Sequence, residues 1–297
     1  MEKGKKRRRE EGEEIEAESS DLDHSLSLEK NLTFSDTLMA LRIMRAQFPQ
    51  IDKVSFQPFI LQSQLYSSVK DRTQVDRELE SLKREKVVRI FKLNTGQDDH
   101  GIMFFDDYLK QIDHVVKRME ERKQGDFEVF KWFREHVIES KLEPSIEHQE
   151  LINSLLVLSS SSSDHIPKTQ NHFMSFTNHS VDFHCSLLSL GGRVRDQHIS
   201  LLINAGLITR QLIDPSMYWF AIPNIGSILK GLSQGRKELL SLLNRKRYKE
   251  MMLASLEKMR LRFSPLDMRF HLRDLIGSGL LKTAHTPTGI VIRISKD

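Results

Sequence analysis

The chain of 297 residues is 38% hydrophobic and 29% charged, which is typical of a globular protein and gives room for two or three small domains. It has no apolar run of about 18 residues and no apolar segment near its first residue, so neither a membrane span nor a secretory signal peptide is expected. Cys185 is the single cysteine, which excludes intramolecular disulfides and all-cysteine zinc sites. The composition therefore predicts an intracellular protein without a membrane partner.

The net charge of +4 is unevenly distributed. Residues 230–274 contain 12 lysines and arginines but only 5 acidic residues, so this segment carries +7 and the rest of the chain −3. A local excess of this size attracts polyanions such as nucleic acids. Any such partner is expected to bind the C-terminal third.

Residues 1–30 contain almost nothing apolar, which predicts a disordered tail. A run of cations precedes its glutamates, and importins read such runs as nuclear import signals. The alternative is a tail that is only solvated. The candidate import residues are Lys5, Lys6, Arg7, Arg8 and Arg9.

A first unit is predicted over residues 31–124. Apolar residues at helical spacing predict a first helix ending at Pro49, a second helix that Pro58 opens and that carries Phe59 and Leu61, and a third helix. The third helix is expected to bury Val75, Leu79 and Leu82. Two strands, Val87–Leu93 and Ile102–Phe105, follow it, and Asp106 and Asp107 then cap a long helix that reaches about Lys123.

A second unit is predicted over residues 125–229. Its first helix buries Val129, and Pro144 opens the next helix. The serine-rich stretch 159–180 is expected to loop out as an insertion. Asp196 caps the helix that follows, which Gly206 stops.

A third unit is predicted over residues 230–297. Asn224 is expected to cap a helical stretch, with or without a break, that reaches about Met259. A helix from Met268 and two short strands then close the chain.

One pattern recurs in all three units: a leucine-spaced helix, a β-branched strand, a turn and a second strand. This order is the C-terminal half of a winged helix-turn-helix unit. The predicted fold is mainly α with small β-wings, an α+β class built of three tandem winged helix-turn-helix domains. Such a fold favours binding over catalysis.

The sequence contains no convincing active site. The string from His271 to Leu275 resembles a kinase catalytic loop but carries an extra residue, and Gly279 stands where a metal-binding asparagine is needed. Arg273 and Asp274 are interpreted instead as solvent-facing helix residues. His172, His179, His184 and Cys185 lack zinc-finger spacing, so no metal or other cofactor is predicted.

The basic residues of the third unit are candidates for contacts with DNA phosphates, because their acidic neighbours are too few to pair with all of them. The second unit offers two arginines just before its helix, where backbone amides also favour an anion. The alternative is a solvated surface with weak ion pairs. In the first unit, Asp98 and Asp99 of the wing would repel phosphates, which favours protein contact or a purely structural role. The candidate DNA-binding residues are Lys230, Arg236, Lys237, Arg245, Lys246, Arg247, Lys249, Arg193, Arg195 and Lys282.

Several strings resemble the serine/threonine-protein kinase 19 family, in order from about residue 33 to 297. They are RTQVDREL, FFDDY, INAGLIT, AIPNIG, GRKELLSLLNRKRYKE and RDLIG. The basic residues that match by motif are Lys230, Arg236, Arg245, Arg247 and Lys249. Where relatives carry Lys-Gly-Arg, this chain has glutamine at position 234, so one phosphate contact is expected to be missing; the 159–180 loop is also longer.

This resemblance implies a nuclear protein of three tandem winged helices that binds DNA and acts in transcription-coupled nucleotide excision repair beside RNA polymerase II. The expected partners are duplex DNA, mainly through its phosphates, RNA as a further candidate, RNA polymerase II and repair proteins. Two alternatives stay open. One is a protein-interaction scaffold whose basic segment meets an acidic partner, and the other is the kinase of the family's name.

Overall fold

A computed structural model describes residues 35–51, 56–95, 99–121, 127–156 and 196–295. The candidate import signal, the 159–180 insertion, the histidine–cysteine group, Asp98, Arg193 and Arg195 lie outside the described residues. Within the described ranges, no helix is long and apolar enough to cross a membrane.

The described elements repeat one order three times: helix, short strand, helix, helix, strand, strand. The first unit contains α1 (Asp36–Ala46), β1 (Ile60–Leu61), α2 (Gln62–Ser68), α3 (Arg72–Arg84), β2 (Val88–Lys92), β3 (His100–Phe104) and a following helix, α4 (Phe105–Glu121). The second contains α5 (Glu128–Trp132) continued by a π-helix (Phe133–Ile138), β4 (Ser145–Glu147), α6 (His148–Leu156), α7 (Asp196–Asn204), β5 (Ile208–Arg210) and β6 (Met217–Phe220). The third contains α8 (Gly226–Asn244), β7 (Glu250–Met252), α9 (Leu253–Glu257), α10 (Met268–Gly277), β8 (Leu281–Thr286) and β9 (Gly289–Ile294).

Each unit has an antiparallel three-stranded sheet with the last strand of the unit in the middle: β1-β3-β2, β4-β6-β5 and β7-β9-β8. The hairpins β2–β3, β5–β6 and β8–β9 match the strand pairs expected from the sequence. The first strand of each unit was not predicted. Phe59 and Leu61 were assigned to a helix that starts at Pro58, but Ile60 and Leu61 pair with Ile102 and Gly101 of β3.

The same error occurs after Pro144, where strand β4 precedes helix α6. These strands are only two or three residues long, too short to show a period of two, and their partners lie in distant hairpins. Their pairing is a tertiary contact that local sequence patterns do not report.

Helix α3 follows its prediction closely. The Asp71 carboxylate accepts hydrogen bonds from the backbone N–H groups of Thr73 and Gln74, which caps the start of the helix. Val75, Leu79 and Leu82 form its buried stripe, as expected. The helix therefore presents a continuous apolar face to the core of the first unit.

Two expected helix caps have other roles. Asn224 has a φ of 63° and lies ahead of α8, whose N-cap is Ile225, and its side chain accepts a hydrogen bond from Arg118. Asp107 is buried, and its carboxylate accepts two hydrogen bonds of 2.6 Å from Arg45 of α1. Gly206, with a φ of 74°, follows the end of α7 as predicted.

The first and second units share a buried joint. Arg89 of β2 is almost fully buried and donates from Nη1 to the carbonyl oxygens of Ile138 and Lys141, 3.1 and 2.9 Å away. Its guanidinium carbon lies 4.4 Å from the ring centroid of Phe220. Tyr108 of α4 adds a hydrogen bond to the carbonyl of Ala221. Apolar residues of both units continue into one core at this joint.

Candidate nucleic-acid interface

The third helix of the third unit, α10, is covered by the first unit. In helix-turn-helix proteins the helix at this position enters the major groove of DNA. Here α10 packs on α2 so closely that a Cβ atom at Gly277 would collide with the carbonyl oxygen of Ser63. Gln64 donates to the carbonyl of Phe270 (3.1 Å), and Arg72 donates to that of Gly277 (2.9 Å). With these contacts in place, α10 cannot read base edges.

An ion-pair network closes this joint around Arg236 of α8. Its guanidinium makes hydrogen bonds of 2.6 and 2.9 Å to Asp274 of α10 and one of 2.6 Å to Asp99 near the wing of the first unit. Ser63 also donates to Asp274 at 2.7 Å. The side chains of Arg236, Asp99 and Asp274 are only 11%, 14% and 0% exposed.

This network changes three sequence-based interpretations. Arg236 directs its donors at the fully buried Asp274 and the mostly buried Asp99, so it is removed from the candidate phosphate contacts. Asp274 is fully buried and not solvent-facing. Burial by itself raises the pKa of Asp99, but hydrogen bonds from Arg236 and Thr95 outweigh it and hold that pKa below its usual value. Asp99 therefore has a structural role. The sequence left two roles open for this part of the first unit, a structural one and contact with another protein.

The remaining basic candidates on α8 lie along its exposed side. Lys230 and Lys237 are seven residues apart, which places them on one helix face about 10 Å from each other. Both are exposed, whereas Leu232, Leu239 and Leu243 on the opposite side are buried. The two lysines thus form the beginning of a cationic stripe.

The stripe continues into the five-residue loop 245–249, Arg-Lys-Arg-Tyr-Lys, in which every residue is exposed. Hydrogen bonds fix its backbone: Lys246 N–H donates to Leu243, Lys249 N–H donates to Lys246, and Lys249 accepts from Ile294 of β9. Lys249 has a φ of 53°, in the left-handed region that closes such turns. The loop therefore holds four cations on a hydrogen-bonded backbone.

The adjoining sheet supplies two more cations. Lys282 of β8 and Glu250 of β7 both pair in register with Arg293 of the central strand β9. Lys282 and Arg293 are exposed and lie on the same face of the sheet. Arg293 is not among the candidates from the sequence. Its position as the polar residue in the alternating strand IVIRI could have indicated that it is exposed.

Acidic residues are few beside these cations: Glu250 lies next to Arg293 in the sheet but forms no ion pair with it. Glu238 is occupied by the backbone N–H groups of Arg262 and Phe263, at 3.0–3.2 Å. Among the described residues, none of the exposed cations named above on α8, in the loop 245–249 and on the sheet forms an ion pair with a carboxylate. We call this set the basic surface: Lys230, Lys237, Arg245, Lys246, Arg247, Lys249, Lys282 and Arg293.

Helix α3, the third helix of the first unit and the counterpart of α10, carries acidic residues among its basic ones. Glu80 pairs with Lys83 at 2.8 Å and with Arg84 at 3.3 Å, so acids and bases on this helix neutralise each other. This mixture of charges distinguishes α3 from α8, where Lys230 and Lys237 have no carboxylate partner among the described residues.

The kinase-like string forms part of the core. Leu272 and Leu275 pack in the third unit, and the fully buried His271 makes a 2.8 Å hydrogen bond with Ser264. Burial, with a smaller effect of the charge on Arg236, lowers the pKa of His271 to about 4. In the part of the chain that the structure describes, no three His, Cys, Asp or Glu side chains form a group able to hold a metal ion.

Comparisons with known proteins identify relatives that cover most of the chain. A family model described as "Inactive serine-threonine protein kinase 19" matches residues 24–294. The chain is 27% identical over 241 residues to "Winged helix repair factor 1" of Homo sapiens, covering 80% of this chain and 76% of the relative. It is also 27% identical over 265 residues to the Xenopus laevis protein of that name, covering 86% and 83% of the two chains.

The Dictyostelium discoideum protein of the same name is 27% identical over 285 residues, covering 91% of this chain and 68% of the relative. The family description contains the word inactive, in agreement with the absence of convincing kinase motifs from the sequence. Because the match extends over all three units, the chain belongs to the family described as inactive serine-threonine protein kinase 19.

Proposed function

We propose that this protein is a non-catalytic DNA-binding protein that contacts the phosphates of duplex DNA through the basic surface of its third unit. The observation that carries the proposal is the set of exposed cations that forms the basic surface, on α8, in the loop 245–249 and on the sheet, without carboxylate partners among the described residues. Contacts to phosphates provide affinity without reading base sequence. The burial of α10 against the first unit also favours binding that tolerates any sequence.

We propose that the three repeated units are tandem winged-helix domains over residues 31–124, 125–229 and 230–297. The repeated element order and the common sheet order support this architecture. Helix α8, which we assign to the third domain, begins at Gly226, four residues before the boundary expected from the sequence. In this arrangement DNA binds the third domain through α8, the loop after it and the sheet.

The relatives named as repair factors extend the proposal to a biological role. We place the protein in the nucleus, with Lys5–Arg9 as its import signal, in transcription-coupled nucleotide excision repair. There it would bridge DNA and proteins of the repair and transcription machinery, RNA polymerase II included. RNA is a further candidate ligand of the basic surface, because it presents the same phosphates.

The test is a salt titration of duplex DNA binding. Reversing Arg245, Arg247 and Lys249 to glutamate should weaken binding and reduce the slope of log K against log salt by about 3, since each lost phosphate contact contributes about 0.9. The matched control reverses Lys70, Arg77 and Lys131, which are exposed cations of the other units with no ion pair to a described residue. The control changes the total charge of the protein by the same amount, but its slope of log K against log salt should equal that of the wild type.

Equal effects of the two triple variants would show that only net charge matters, and the assignment of the basic surface would then be wrong. Arg193 and Arg195, which lie outside the described residues, remain candidates for additional contacts. Reversing these two would reduce the slope further if the second unit also touches DNA.

A protein-interaction scaffold is the second candidate function. Leu212 and Ile213, in the turn between β5 and β6, are 95% and 98% exposed. Two neighbouring aliphatic side chains at such exposure favour contact with another protein. If the purified chain fails to bind duplex DNA at physiological salt, yet its interaction with nuclear proteins is lost on changing both residues to serine, the scaffold function replaces the first.

A further inference from the structure

Two aromatic side chains of the third unit are exposed to solvent. Tyr248 is 69% and Phe263 60% exposed, whereas the other aromatic residues that the structure describes are buried or half-buried. Both lie in the segment 230–274 that carries the excess positive charge. Their chemistry therefore adds flat apolar faces to a cationic surface.

Each ring is accompanied by an arginine. The guanidinium carbon of Arg247 lies 5.3 Å from the ring centroid of Tyr248, and that of Arg262 lies 5.8 Å from the ring centroid of Phe263. A guanidinium over one face holds the ring in place and leaves the opposite face for a second planar group. The two pairs have the same construction.

Both rings stand on an ordered backbone. Tyr248 lies inside the turn that the Lys249 N–H to Lys246 carbonyl bond closes. The N–H groups of Arg262 and Phe263 both donate to the Glu238 carboxylate. The two rings are thus held at different places in the third unit, Phe263 beside Glu238 of α8 and Tyr248 in the loop that follows this helix.

We infer that Tyr248 and Phe263 are stacking sites for unpaired nucleobases, so that the third unit binds single-stranded DNA as well as duplex. The inference rests on the proposed DNA binding. A single strand presents a base and a phosphate at every step, which matches rings set among cations. A duplex offers phosphates, but its base faces are covered by their neighbours. An acidic protein, in contrast, does not carry a planar group beside each of its negative charges.

The test uses the full chain and three probes: oligothymidine of about 16 nucleotides, duplex DNA of the same length and oligouridine. The double variant Y248L/F263L keeps apolar volume but removes both ring faces. Its affinity for oligothymidine should fall about tenfold or more, since stacking contributes a factor of about 5 to 150 per base. Its affinity for duplex should stay within about twofold, with the salt slope unchanged. The control Y248F, which keeps the ring, should bind like the wild type.

A second measurement does not depend on affinity. Photo-cross-linking of an oligonucleotide that carries 5-iodouracil to the wild-type chain should label Tyr248 and Phe263. Labelling confined to other residues would overturn the inference. So would an equal loss of duplex and single-strand binding in Y248L/F263L, or a loss for oligouridine alone, which would assign the rings to RNA.

Base stacking and duplex binding can be distinguished by these variants. If the leucine variant binds oligothymidine like the wild type while the charge reversals still weaken duplex binding, the stacking inference is wrong and the proposed function stands. If the wild type binds no DNA probe, the proposed function itself is wrong.

Discussion

Replacing Arg236 by alanine tests whether this residue supports the fold or contacts DNA. The substitution removes three hydrogen bonds of 2.6–2.9 Å and leaves the carboxylates of Asp99 and Asp274 without their cation. Asp274 is fully buried and keeps only the hydroxyl of Ser63 as a partner among the described residues. A structural role predicts a large loss of stability, whereas a phosphate contact predicts almost none.

The size of the loss follows from the burial of the three side chains. Breaking a buried ion pair by removal of one partner costs about 3–5 kcal/mol, because the charge left behind has lost both its water and its counter-charge. The side chains here are 0–14% exposed, so solvent screens this network little. We expect the free energy of unfolding to fall by roughly 3–5 kcal/mol. A double variant that removes the cation together with its fully buried partner, R236M/D274L, should recover part of this loss and leave only the partly exposed Asp99 without its cation.

Urea denaturation measures the stability, and the salt-titrated binding assay measures the DNA contact. At temperatures where R236A is folded, its duplex affinity and salt slope should match the wild type. A stability loss below about 1 kcal/mol, with a salt slope reduced by about 1, would refute the structural assignment and restore Arg236 to the phosphate contacts.

Three further predictions concern the core and the joint. Leu79→Ala should cost about 2–5 kcal/mol in the free energy of unfolding, because this side chain is 2% exposed; a loss near zero in urea denaturation would mean that α3 faces the other way. Gly277→Ala should lower the free energy of unfolding by about 1–3 kcal/mol, because the new methyl group meets the Ser63 carbonyl. The control Gly226→Ala, which has open space around the new methyl group, should leave this free energy nearly unchanged. Equal losses in the two variants would contradict the tight packing of α2 on α10. The pKa of His271 is about 4 in the folded chain and about 6.5 when unfolded, so the unfolded state binds more protons between these values. The contribution of His271 to the free energy of unfolding should therefore be complete above about pH 6.5 and fall by up to roughly 3 kcal/mol as the pH drops to 4. In denaturation experiments, the free energy of unfolding of H271Q should depend less on pH than that of the wild type. An unchanged pH dependence would exclude His271 as the cause.

Much of the secondary structure could be predicted because it depends on neighbours along the chain. The spacing of Val75, Leu79 and Leu82 identified both α3 and its buried face. The strand–turn–strand strings identified the three hairpins, whose partners are separated by short turns. The charge count also indicated the third unit as the basic one, since a local excess of 12 cations over 5 acids cannot be neutralised within the segment.

The roles of individual charged residues could not be predicted in the same way. Arg236 and Lys237 are adjacent in the sequence and equally basic, yet one is paired in a buried network and the other is exposed. Their difference depends on Asp99, which lies 137 residues from Arg236. No periodicity encodes a contact across that distance.

The sequence alone determined that the chain has three similar units, which helices bury which leucines, and where the positive charge is concentrated. The tertiary structure alone decided that α10 is covered, that Arg236 joins two units and that Arg293 belongs to the basic surface. The physical reason is that helices and hairpins are stabilised by groups a few residues apart. The exposure of a charge depends instead on which distant segment packs against it.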